Sequence, residues 1–81
     1  MKLKNLGEVN DFLKTVDQFR GEVWLEDDEG SQINLKSKLS QYVAIGALLG
    51  DRGYALNLNC EIPEDEAKFF ILLSDHPGME L

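Results

Sequence analysis

The 81-residue chain has one cysteine, one histidine, one tryptophan and two prolines, and basic residues are scarce. Each shortage excludes something. A lone Cys60 cannot close an internal disulfide, and with no secretory leader pattern at the start the cytoplasm is the expected compartment. No apolar run approaches the roughly 20 residues that span a bilayer. The longest is Tyr42–Leu49, which includes Gly46. Eight Lys and Arg against fifteen Asp and Glu leave a net charge of -7. Nucleic acids are held largely by phosphate neutralisation, so neither a nucleic acid nor an anionic membrane surface is an expected partner. There is no glycine-rich phosphate loop, no Ser/His/Asp set and no HExxH string. The expectation is a protein that is not an enzyme and carries no cofactor and no metal.

What is present reads as one globular domain over 1–81. Hydrophobic residues make up 43% and charged residues 28%, an ordinary balance for a folded chain and too apolar for a disordered one. Residues 1–5 offer a short first strand at most. Leu6, Val9, Phe12, Leu13, Val16 and Phe19 then recur on one helical face, predicting a helix over 6–19 that Gly21 ends. Glu22–Glu26 and Ser31–Leu35 read as strands joined by the acidic turn Asp27-Asp28-Glu29-Gly30. Ser37 is an N-cap for a helix to Leu49, with Leu39, Val43, Gly46 and Ala47 along one side. Tyr54–Cys60 alternates as a strand with Leu56, Leu58 and Cys60 inward and Asn57 and Asn59 outward. Pro63 and the acids after it open a third helix over 63–74, in which Ala67, Phe70 and Ile71 keep helical spacing. The segment from 75 to 81 is a tail. The order predicts an α+β sandwich: a three- or four-stranded antiparallel sheet with three helices on one face.

One string is more specific. Val23-Trp24-Leu25-Glu26, a turn with Gly30, and Ile33-Asn34-Leu35-Lys36-Ser37 resemble the histidine-containing phosphocarrier protein (HPr) family of the sugar phosphotransferase system. In that family an Asn-Leu-Lys-Ser string ends a strand and its serine opens the second helix. The resemblance covers residues 6–73 and implies an open-faced sandwich. It also implies a phosphoryl-carrying histidine, followed by an arginine, at the start of the first helix. Here that stretch reads Lys4-Asn5-Leu6-Gly7-Glu8. An amide cannot carry a phosphoryl group as an imidazole nitrogen does, so relay through that position is ruled out.

What the resemblance still implies is regulation at Ser37, the serine that a dedicated kinase modifies in some members. A phosphate there would meet free helix amides. The plainer reading, a cap contributing about 1 kcal/mol, stands beside it. The family docks partners on residues after this serine, which makes Lys36, Lys38, Leu39 and Tyr42 the partner-binding candidates. An HPr-type kinase or a regulator would be the partner. The rival reading is an assembly domain that forms a homodimer through the open sheet face or a vacant sheet edge. Cys60 reads as an inert thiol, His76 as a tail residue, and the acids at 26–29 as a solvated turn. Trp24, opposite Val23 and Leu25 on its strand, is expected on the uncovered face.

Overall fold

The computed structural model describes residues 1–75; His76 and the rest of the expected tail lie outside them. Helix α1 (Leu6–Asp17) leads into strand β1 (Val23–Glu26) and strand β2 (Gln32–Asn34). Helix α2 (Lys38–Leu49), a 3-10 turn (Asp51–Ala55), strand β3 (Asn57–Cys60) and helix α3 (Pro63–Asp75) follow. The strands form one antiparallel sheet in the order β2-β1-β3. This is the expected α+β architecture with three strands. Among the described residues no helix is long and apolar enough to cross a membrane.

The period-two rule separates the two sides of β1. Val23 and Leu25 are fully buried while Trp24 and Glu26 are half-buried on the opposite side. The core gathers on the Val23 side from Val9, Phe12, Val16, Leu35, Ala44, Leu48 and Phe69. At its centre the rings of Phe12 and Phe69 meet edge to face, 5.9 Å apart, the arrangement that aromatic quadrupoles favour. The hairpin turn is fixed by Asp27. Its Oδ1 accepts from the Glu29 and Ser31 amides, and Gly30 supplies a φ of 86° that other residues rarely adopt.

Residues 1–5 add no strand to the sheet, which leaves the three-stranded form of the expected architecture. The Leu3 amide instead donates to Leu48 O at 3.1 Å, and Lys2 Nζ caps the carbonyls of Leu49 and Gly50 at 2.9 and 2.8 Å. The strand expected from Tyr54 begins only at Asn57. The Met1 amine takes the carbonyls of Gly53 and Leu56, which keeps 51–55 in its tight turn. A Cβ at Gly53 would lie 2.9 Å from Leu48 O, so this close approach requires glycine. The faces of two helices are also turned from those expected. In α2 the buried residues are Gln41, Ala44 and Leu48, whereas Leu39, Tyr42 and Val43 point to solvent. In α3 they are Asp65, Phe69 and Leu72, with Phe70 and Ile71 outside. Both helices carry apolar residues around most of their circumference, and polar anchors choose the inner side.

Candidate functional site

The segment that carries Ser37 is built by its neighbours in sequence. Leu35 is buried and its amide donates to Val23 O at 2.8 Å, which ends the β1–β2 ladder. Asn34 Oδ1 accepts from the Lys36 amide at 2.8 Å, an Asx turn that bends the chain out of the sheet. Ser37 is then extended, exposed and at the N-cap of α2, where its hydroxyl accepts from the Ser40 amide at 3.5 Å. No acidic residue occupies the first turn of α2, whereas Glu8 lies in that of α1 and Glu64, Asp65 and Glu66 in that of α3. The positive end of this helix dipole is therefore without a carboxylate of its own.

The two lysines beside Ser37 are engaged with the end of α1. Lys36 is half-buried, and its ammonium donates to the carbonyls of Val16 and Phe19. That satisfies acceptors a helix end leaves open. Lys38 pairs with Asp17 at 2.9 Å. Gln41, buried beneath them, donates to Leu35 O at 2.7 Å and to Asp17 Oδ1 at 3.1 Å. The hydrogen bond from Lys38 holds the Asp17 carboxyl below its ordinary pKa, with the Gln41 amide and the two lysine charges adding to it against partial burial. Outward beside the exposed Lys38 lies an apolar set. Leu39, Tyr42 and Val43 are 80%, 73% and 63% exposed, and spacings of three and four place them on one stripe.

Asn5, where the resemblance implies a histidine, is the N-cap of α1. Its Oδ1 accepts from the Glu8 amide at 2.9 Å, and Glu8 Oε1 accepts from the Lys4 amide at 2.8 Å. These two residues satisfy each other's segment in a close relative of the capping box. They lie far from Ser37 along the helix pair, since Asp17 meets Lys38 at one end and Leu3 meets Leu48 at the other.

Asp65 is the structural residue the sequence concealed. It reads there as one of three acids opening a helix, yet it is fully buried. Its carboxylate accepts from the Arg20 amide at 3.0 and 3.1 Å, from the Gly21 amide at 2.9 Å, and from Lys68 at 3.4 Å. Burial opposes the charge, but the Arg20 and Gly21 amides together with Lys68 outweigh it and hold the group below its ordinary pKa. Cys60 is half-buried on β3; burial pushes its thiol up, helped by the charges of Glu66 and Asp65. Raised thiols are poor nucleophiles. Among the described residues no three of His, Cys, Asp or Glu come together as a metal site.

Comparison with known proteins returns no match among family models, curated proteins or solved structures.

Proposed function

We propose that the protein is a non-catalytic, HPr-like interaction module that presents the head of α2 to a protein partner, with Ser37 as a phosphorylation switch. The observation that carries this reading is the exposed serine cap lying one turn from an exposed apolar stripe of Leu39, Tyr42 and Val43. A soluble surface ordinarily scatters such residues, and a contiguous set marks a contact. Leu39 and Tyr42 are the docking residues in this reading. Lys36 and Lys38 act indirectly by fastening the helix head to α1. A phosphate on Ser37 would meet amides of a first turn that carries no acid of its own, with the nearby Asp17 carboxylate already paired with Lys38, and would place a dianion beside the stripe. Three helices with one antiparallel three-stranded sheet are compatible with an open-faced sandwich, which supports the reading without identifying the partner.

The test is phosphorylation of the full chain by an HPr-type serine kinase with ATP, followed by mass spectrometry. One phosphate on the wild type and none on Ser37→Ala is the expected result. Equal labelling of both, or none on either by a kinase shown to be active, overturns the switch. A second reading, an assembly domain, is favoured by Phe70 and Ile71, 57% and 63% exposed, of which Phe70 shares a cleft with Asn57, Leu58 and Cys60 of the edge strand β3. Light scattering separates the two: a monomer is expected, and an obligate dimer that covers Ser37 would favour assembly.

A further inference from the structure

The face of the sheet that no helix covers among the described residues has a chemistry unlike the rest of the molecule. Its centre is Trp24, the one tryptophan of the chain, half-buried on the middle strand. The register sets Asn34 of β2 and Asn59 of β3 directly opposite it, one on each side. Neighbouring strands lie about 4.8 Å apart, so Asn34 and Asn59 stand one strand spacing from Trp24 on either side. The next row repeats the pattern with Glu26 between Gln32 and Asn57. Every one of these neighbours is an amide or a carboxylate, and no Lys or Arg stands in either row.

The side chains also fix one another. Asn34 Nδ2 donates to Glu22 Oε2 at 3.1 Å, and Asn59 Nδ2 donates to Glu26 Oε2 at 2.9 Å. Trp24, Glu22, Gln32 and Asn34 line a shallow, open basin of about 420 Å³ on the β2 side of the indole, a volume comparable to small-ligand sites. We infer that this face binds a neutral saccharide, with the C–H face of a pyranose ring stacked on Trp24 and its hydroxyls bonded to the surrounding amides and carboxylates.

Hydrogen-bond supply and charge select that ligand class. An amide side chain offers donors and an acceptor, and an ionised carboxylate offers acceptors only. A hydroxyl serves as both, so a sugar ring can satisfy a mixed rim. A lysine-rich peptide would suit Glu22 and Glu26 and could meet the amide donors of Gln32 and Asn57 with its backbone carbonyls, so a tetralysine titration separates the two ligands. A nucleic-acid base would stack equally well, yet its phosphates would meet the carboxylates of Glu22 and Glu26. The negative aromatic face attracts the partially positive C–H edges that a pyranose presents.

Trp24 reports on its own site, since its emission is the only tryptophan emission the chain has. Titration of the full chain with cellotetraose is expected to give a saturable change in that emission, with tetralysine giving none. Ligand-observed NMR with the variants completes the test. Trp24→Ala should lose binding by roughly tenfold or more, and Gln32→Ala and Asn59→Ala roughly three- to tenfold each, the value of a hydrogen bond. Lys14→Ala, on α1, should bind as the wild type does. Trp24→Phe, which keeps a ring, should retain part of the affinity and guards against misfolding of the alanine variant. Absence of a saturable change, unaltered binding by a folded Trp24→Ala chain, or a response to tetralysine in place of the sugar would overturn the proposal.

Discussion

Helices α1 and α2 have the same length, twelve residues each, and opposite designs. In α1 the buried side is Val9, Phe12, Leu13 and Val16, and the outer side is largely polar. In α2 the buried side contains Gln41 and Ala44 with Leu48, while its large outer residues are Leu39, Tyr42 and Val43. Hydrophobicity alone therefore orients α1. It orients α2 less decisively, because Ala44 and Leu48 are buried and Ile45, Ala47 and Leu49 pack on the core while Leu39, Tyr42 and Val43 lie outside. What holds α2 with its apolar side out is a set of directed polar bonds: Gln41 to Leu35 O and Asp17, Lys38 to Asp17, and Lys2 to the carbonyls at its far end. An exposed apolar stripe maintained by such bonds is what a docking helix requires.

The strongest way to break this contrast is Phe12→Ala. It removes a fully buried ring and its contact with Phe69, for an expected loss of about 3–5 kcal/mol and a Tm fall on the order of 15 °C or more in a calorimetric scan. Asp65→Asn should come next, and its signature is pH dependence. A folded pKa held below the ordinary 3.8 contributes stability that is present above that value and lost as pH falls toward the folded one. Denaturant midpoints for wild type and variant should be far apart at neutral pH and converge below about pH 4. Parallel curves throughout would show that the carboxylate charge is not what matters.

A sharper probe of α2 is Gln41→Ala, which leaves the Leu35 carbonyl without its donor. Urea unfolding should register about 1–3 kcal/mol of destabilisation, whereas an amphipathic helix such as α1 has no comparable polar residue to lose. Smallest of all is Tyr42→Ala. At 73% exposure it should change stability by less than about 0.5 kcal/mol, and any larger loss would mean the stripe is structural and not held in reserve for a partner.

The same contrast explains what could be read beforehand. The apolar spacing of α1, the alternation of β1 and the serine cap of α2 are local signals, and the elements stand within two or three residues of their expected places. The inner faces of α2 and α3 were not legible, because their apolar residues encircle the helix and the deciding partners, Asp17 for Gln41 and Arg20 for Asp65, lie 24 and 45 residues away. Around Ser37, the apolar spacing that put Leu39 on the inner side gave no sign that Leu39 and Tyr42 stand exposed together. The commitment of Lys36 to α1 carries no sequence signal, since any lysine in a polar stretch looks solvated. The Trp24 face was half legible: strand alternation placed the indole outward, but only the register brings Asn34 and Asn59 to its sides.

Asp65 has a last consequence, in the exchange of amide hydrogens. Loop amides ordinarily exchange through small local openings, but those of Arg20 and Gly21, between α1 and β1, are held by a buried carboxylate on another helix. Their hydrogens leave only when the first turn of α3 swings away from the loop. Two amides outside any helix or strand thus become a clock for the undocking of α3, and their exchange rate, set against that of the β1–β3 ladder, tells whether α3 departs alone or only with the whole fold.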